Sequence, residues 1–395
     1  MADVRSYSIV TSAYWGFTIT DGALRMLVLL HFHALGYQPL ELAFLFLAYE
    51  AMGVITNFFG GWIGARFGLR STLFSGLSIQ ISALVMLAFL PAHLTPAISV
   101  FYIMTAQGLS GIAKDLTKMS SKSAVKLVVP KEGDGLLFKW VSLLTGSKNA
   151  LKGLGFFVGV FLLEWVGFFN ALMVMAVGLF IILLLSVICL KQEFGKTKSK
   201  ILRRDLFFKS RAINYLSAAR VFLFAGRDVW FVVGLPVYLT NVGGWNFGQV
   251  GGFLALWIIG YGIVQAFVPK VLKNTKDSGT AADAAKKWGW VLVFIPGLIL
   301  FVDDQIAGML IGLMVFGIVF AFNSSLHSYL IVALSDHDKV SLNVGFYYMA
   351  NAIGRLLGTL CSGLIYQYYG LAACLITSSV MILLSVLLVS RVNDN

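Results

Sequence analysis

Nine ionisable residues stand inside long apolar stretches of this 395-residue sequence: the cations Arg25, Lys148, Lys152, Arg220, Arg227 and Arg355, and the acids Asp21, Glu50 and Asp228. Charge held away from water is expensive, so each is a functional candidate. Six cations against three acids leave an excess of buried positive charge, which an anionic ligand would relieve. Lys148 and Lys152 stand four residues apart and share one helical face. Arg25 follows Asp21 at the same spacing, which predicts a structural pair within one helix. Arg227 adjoins Asp228, and neighbours on a helix diverge by roughly 100°, so both are expected to find partners elsewhere. Lys148, Lys152 and Arg355 have no acid nearby in sequence and are expected to contact the ligand. Phosphate-like groups suit such a set, because Arg offers a bidentate fork and Lys a mobile point charge.

A second basic pattern recurs every four residues at Lys114, Lys118, Lys122 and Lys126, interleaved with Ser120, Ser121 and Ser123. On a helix these lysines form one stripe. It serves either lipid headgroups or an inner vestibule that concentrates a polyanion. Lys114 is deepest and is the expected ligand contact. Glu50 has no cation within a turn; it is a proton carrier, a neutral hydrogen-bonded acid, or the partner of a cation on another helix. His31 and His33 are either solvated or part of a proton-linked gate. Cys189, Cys361 and Cys374 are widely spaced and form no CxxC, which points to packing rather than a disulfide framework or a metal site. Thr145-Gly146-Ser147-Lys148 lacks the first glycine of a phosphate-binding loop, so ATP hydrolysis is not expected. With no nucleophile constellation either, the chain reads as a non-enzyme without catalytic residues or cofactor.

The elements that must carry these residues follow from composition. The chain is 58% hydrophobic and 12% charged, where a water-soluble domain carries about 25% charge. That excludes a soluble enzyme, a nucleic-acid-binding module and a disordered scaffold. Apolar runs long enough to span a bilayer fall near 10–33, 40–62, 72–91, 95–114, 137–163, 167–190, 212–239, 247–268, 287–303, 306–334, 341–364 and 371–390. The ninth is interrupted by Pro296. Segments after the odd-numbered spans hold no Lys or Arg. The alternate segments hold Arg66 and Arg70, Lys118 to Lys131, eight cations from Lys191 to Arg211, Lys270 to Lys287, Lys339 and Arg391. By the positive-inside rule these segments and both termini are cytoplasmic, so the +12 net charge is largely topological and nucleic acid is not a partner.

The sequence also repeats itself. At an offset of 207 residues, Phe17, Asp21 and Gly36 align with Phe224, Asp228 and Gly243, and Phe46-Leu47-Ala48 and Gly53 align with Phe253-Leu254-Ala255 and Gly260. Asn149-Ala150 resembles Asn351-Ala352, with Lys152 and Arg355 following. The expected architecture is an all-α integral membrane protein with twelve transmembrane helices in two pseudo-symmetric six-helix bundles: residues 1–190, a basic cytoplasmic linker at 191–210, and residues 211–395. This resembles the major facilitator transporters, whose sites lie near mid-membrane between the halves. Gly61-Trp62-Ile63-Gly64-Ala65-Arg66-Phe67-Gly68-Leu69-Arg70 resembles the cytoplasmic signature of that superfamily, matching at Gly61, Arg66, Gly68 and Arg70. Ala65 replaces an acid that contributes there to a charged latch between the halves.

A narrower resemblance rests on four strings. They are Trp15 to Leu27 (WGFTITDGALRML), Gly108 to Leu116 (GLSGIAKDL), Leu144 to Gly153 (LTGSKNALKG) and Gly226 to Pro236 (GRDVWFVVGLP). They look like the organoarsenical efflux permease family ArsJ over most of spans 1–8. The resemblance implies export of 1-arseno-3-phosphoglycerate, the ester that glyceraldehyde-3-phosphate dehydrogenase makes when arsenate replaces phosphate. It implies arsenate resistance, a functional link to that dehydrogenase, and a multi-pass protein of the bacterial cytoplasmic membrane in contact with lipid. A molecule with a phosphate and an arsenate end needs separated cations and no thiols. The residues themselves offer Arg25, Lys114, Lys148, Lys152, Arg227 and Arg355 for substrate, and Asp21, Glu50 and Asp228 for charge pairing or ion coupling. The alternatives are an organophosphate, phosphate or other organic-anion transporter, and, from another class, a transporter-like membrane receptor or scaffold.

Overall fold

The computed structural model describes residues 4–91, 94–124, 134–190, 209–272, 278–302, 306–335 and 340–392, and among these the only regular structure is helix. The helices are α1 (Val4–Ala34), α2 (Pro39–Phe67), α3 (Leu69–Ala88), α4 (Pro96–Ala124), α5 (Asp134–Cys189), α6 (Arg211–Phe231), α7 (Gly234–Asn241), α8 (Phe247–Val271), α9 (Ser278–Ile299), α10 (Ala307–Ala333) and α11 (Val340–Val389). Most of the basic linker, with Lys126, Lys131 and Lys339, lies outside the described residues, as do the side chains of Ala65, Arg66 and Lys122.

Two helices are too long for one crossing. At 1.5 Å per residue, the 56 residues of α5 would run about 84 Å, against roughly 30 Å of hydrocarbon. Each breaks at a glycine with positive φ, Gly167 at 77° in α5 and Gly370 at 74° in α11. Side-chain-bearing residues rarely adopt that conformation, whereas glycine does so without steric cost. The two glycines occupy matching places in the two halves, and each divides its helix into two spans. With α6 and α7 forming a single segment, the described residues hold twelve helical segments, and seven of the helices, the two broken ones included, are long and apolar enough by themselves to cross a membrane. Pro296 does not end α9, which continues to Ile299.

The span made by α6 and α7 is interrupted two residues before Gly234. Pro236 has no N–H and cannot continue the hydrogen-bond ladder of α6. The Ser362 hydroxyl of α11 accepts from the freed N–H groups of Val233 and Gly234, at 3.1 and 3.0 Å. In lipid such a break needs an acceptor from a neighbouring helix, because no water is present to supply one. The outward faces are apolar: Phe157, Phe161, Phe180 and Leu184 of α5 and Val380 and Leu387 of α11 are exposed large hydrophobics. On this scale such surface marks contact with lipid or protein rather than water.

The chain divides into two compact units. The first comprises described residues within Met1–Ala34, Ala48–Ile201 and Phe247–Ile259; the second those within Leu35–Leu47, Leu202–Asn246 and Gly260–Asn395. In the first, α1 and α5 approach backbone to backbone: a Cβ on Gly22 would lie 2.5 Å from the Lys152 carbonyl oxygen and 3.2 Å from the Gly155 Cα. In the second, α6 and α11 do the same, with a Cβ on Gly358 falling 2.7 Å from the Asp228 Cβ and 2.9 Å from the Ala225 oxygen. Gly155 and Gly358 hold equivalent places in the repeats. Small residues at such crossings let helices associate closely in a membrane.

These contacts predict an asymmetric response to adding one methyl group. Gly155→Ala and Gly358→Ala should each lower the melting temperature of the purified protein in detergent by several degrees. Gly178→Ala, where a Cβ meets nothing within 4 Å, should leave it unchanged or slightly raised. Equal melting temperatures for all three variants would contradict the packing described.

Candidate functional site: buried charge clusters in two units

In the first unit the close crossing of α1 and α5 sets Asp21 against Lys152. The Lys152 Nζ lies 2.8 Å from Asp21 Oδ2, and the Tyr49 hydroxyl of α2 donates to Asp21 Oδ1 at 2.5 Å. One turn along α1, Arg25 Nη1 is 3.4 Å from Glu50 Oε1. Lys114 of α4 completes the cluster, with Nζ 4.0 Å from Glu50 Oε2 and 3.9 Å from the centre of the Tyr49 ring. The i,i+4 pairing of Asp21 with Arg25 does not form; each meets a charge on a different helix instead. Glu50, 0% exposed, is the partner of cations on other helices, one of its three expected states. Lys148 is partly buried on α5, one turn before Lys152.

Below this cluster on α4 lies a pair that the sequence reading missed. Asp115, fully buried, receives Lys118 at 2.6 Å and the Thr56 hydroxyl at 3.1 Å, while Lys118 also donates to Asn57 Oδ1 at 2.6 Å. The i,i+3 spacing of Asp115 and Lys118 was the available signal, obscured by assigning Lys118 to a basic stripe. His31 stacks on Phe168, next to the Gly167 break, with ring centroids 4.0 Å apart.

The second unit repeats the arrangement with a different balance. Asp228, 1% exposed, accepts from Arg227 Nε at 2.6 Å on Oδ1, and Arg355 Nε lies 3.5 Å from Oδ2. The neighbouring residues Arg227 and Asp228 therefore do pair, contrary to expectation, because the long Arg side chain wraps across the angle between them. The Arg227 guanidinium also lies over the Phe224 and Phe320 rings, at 4.7 and 5.4 Å. Arg220, two helical turns earlier on α6, donates from Nε to Asn351 Oδ1 at 2.9 Å and from Nη1 to the Ser324 carbonyl at 3.2 Å. Tyr261 donates to the Ser324 hydroxyl at 3.1 Å. Asn351, Ser324 and Tyr261 had no signal as site residues beyond the Asn149/Asn351 repeat.

The equivalence is chemical as well as positional. Asp21 with Lys152 and Asp228 with Arg355 are an acid on the first helix and a cation on the fifth helix of each repeat. The first unit sets Arg25, Lys114, Lys118 and Lys152 against Asp21, Glu50 and Asp115; the second sets Arg220, Arg227 and Arg355 against Asp228 alone. A pair of this kind can exchange its carboxylate for the oxygen of an anion. Among the described residues no group of three His, Cys, Asp or Glu stands close enough to hold a metal ion.

Twelve spans in a duplicated arrangement with charge buried in each unit define a polytopic membrane transporter. The sequence matches the Major Facilitator Superfamily over residues 8–281, and the chain belongs to that family. It is thus a secondary transporter and not an enzyme. Among solved structures it is similar to the crystal structure of the human organic anion transporter MFSD10 (TETRAN), with a TM-score of 0.69 and 16% identity, over 98% of this chain and 100% of that one. At that identity the likeness is one of fold. No curated protein matches the sequence.

The pairing predicts non-additive mutational effects. Asp21→Asn or Lys152→Gln alone leaves a charge buried without its main partner and should cost about 3 kcal/mol or more. The double variant should lose clearly less than the sum of the two. Chemical denaturation of the purified protein measures all four corners; simple additivity would show that the two residues are not coupled.

Proposed function

We propose that the chain exports an anionic organoarsenical, 1-arseno-3-phosphoglycerate, from the bacterial cytoplasm and so confers arsenate resistance. The observation that carries the anionic class is the excess of buried cations over acids in each unit, held around repeat-equivalent acid–cation pairs. The four sequence strings that look like the ArsJ family narrow the class to the arsenate ester. The structural relative MFSD10 is described as an organic anion transporter, and organic anions are a class of the same charge.

In this mechanism Arg25, Lys114, Lys148, Lys152, Arg227 and Arg355 bind the phosphate and arsenate ends. Asp21, Glu50 and Asp228 hold Arg25, Lys114, Lys152, Arg227 and Arg355 while the site is empty. An arriving oxyanion shares these cations with the carboxylates and neutralises the positive excess around them, so no acid is left buried without a partner. In this reading the protein sits in the bacterial inner membrane, as the ArsJ resemblance implies, with both termini cytoplasmic, as the placement of Lys and Arg favours. With the cell interior negative, each exported negative charge gains about 2.3 kcal/mol per 100 mV. External hydrolysis of the ester keeps its concentration low. Export then proceeds as uniport.

Inverted vesicles supplied with the dehydrogenase, glyceraldehyde-3-phosphate, its nicotinamide cofactor and arsenate test this directly. Arsenic should accumulate inside under an imposed potential that makes the lumen positive, without a pH gradient. Lys148→Gln should reduce the initial rate about tenfold at normal membrane abundance, and Lys152→Gln about tenfold per molecule of inserted protein. Transport of 3-phosphoglycerate with no arsenic accumulation would replace the arsenical by an organophosphate substrate. Dependence on a pH gradient would replace uniport by proton antiport.

A further inference from the structure

Arg220 differs from the other buried cations. Arg25, Lys114, Lys118, Lys152, Arg227 and Arg355 each have a carboxylate within 4.0 Å. Arg220 is 4% exposed, and among the described residues its partners are all uncharged: Asn351 Oδ1, the Ser324 carbonyl, and the rings of Phe224 and Tyr347 at 4.1 and 5.0 Å. A guanidinium cannot shed its proton to escape the cost of burial, and it has five N–H donors. Two are used, and the others have no acceptor among the described residues. The aromatic rings hold the guanidinium plane but compensate its charge less than an ion pair does.

The surroundings hold polar atoms that Arg220 does not engage. His327 lies three residues after Ser324 on α10, hence on the same face, and the positive charge of Arg220 reaches it. Its ring is 1% exposed, and Nδ1 has no hydrogen-bond partner among the described residues. Gln265 Nε2 and Tyr261 Oη both lie against the Ser324 hydroxyl. A structural requirement of the fold would recur in the other repeat, yet at the offset of 207 residues Arg220 corresponds to Ala13. The cluster therefore belongs to the second unit alone.

We propose that Arg220, framed by Asn351, Ser324 and His327, is an oxyanion-binding subsite of the second unit that takes a phosphoryl, arsenyl or carboxylate group of the transported molecule. This rests on the anion-transport function proposed above and adds a residue that the acid–cation pairs do not include. A ligand oxyanion accepts from the remaining guanidinium N–H groups and supplies the counter-charge that the protein withholds. His327 provides a further ring nitrogen at its edge.

Asn351→Asp tests the subsite by installing that counter-charge at the atom already 2.9 Å from Arg220 Nε. Purified protein in nanodiscs is titrated with 3-phosphoglycerate and with inorganic phosphate, and its melting temperature is recorded without ligand. Asn351→Asp should raise the melting temperature of the empty protein and weaken 3-phosphoglycerate binding about tenfold or more. Arg220→Gln should weaken binding to a similar extent, and Arg220→Lys should restore part of it. If Asn351→Asp stabilises the protein while binding stays within twofold of wild type, Arg220 is structural and the subsite is wrong. If the wild-type protein binds neither probe, the anion-transport reading fails and the subsite falls with it.

Discussion

A carboxylate or guanidinium inside a bilayer must be satisfied by the protein or by what the protein carries, because no water is present to do it. The arrangement of both units follows from this constraint. Asp21 and Asp228 are held where α1 meets α5 and α6 meets α11, and these helices touch through glycines that bring their backbones together. Without that proximity, Lys152 and Arg355 would lie too far from their acids, and the cost of burying all four charges would fall on the fold. Helix packing and charge pairing are therefore one device, used twice.

The duplication makes the remaining differences informative. Both units share an acid on the first helix, a cation on the fifth, and a positive-φ glycine after it. They differ in what is added. The first unit adds Glu50, which meets Arg25 and Lys114, so its charges are nearly balanced. The second adds Arg220 and Arg227 with no further acid, and covers their guanidinium planes with Phe224, Phe320 and Tyr347. Shared features keep the helices together, whereas the unshared charge is what the proposed function assigns to the anion.

Much of this was legible in the sequence. Composition and the spacing of apolar runs gave the membrane class and the number of spans, because bilayer thickness imposes one length on every span. The glycine at each break was harder to see, since Gly167 and Gly370 sit among many glycines and only φ distinguishes them. The interior charges were also plain, because a charge in an apolar run stands out. Their partners were not. Asp21 lies 131 residues from Lys152, and Arg25 lies 25 from Glu50, so neither pair leaves a local spacing to read. Local rules favoured Asp21 with Arg25 and disfavoured Arg227 with Asp228; tertiary packing overrode the first and the reach of the Arg227 side chain the second. Asp115 was passed over because one cation after another on α4 suggested a basic stripe facing lipid headgroups or a vestibule.

The central claim is that the buried positive excess exists to be neutralised by an anionic cargo. The most direct measurement is the thermal stability of the purified protein at fixed ionic strength, with 3-phosphoglycerate, with uncharged glycerol, and with the lipophilic cation tetraphenylphosphonium. Binding to the folded state raises the melting temperature in proportion to ligand occupancy. The account predicts a concentration-dependent rise with 3-phosphoglycerate alone. Stabilisation by the cation with none by the anion would contradict it.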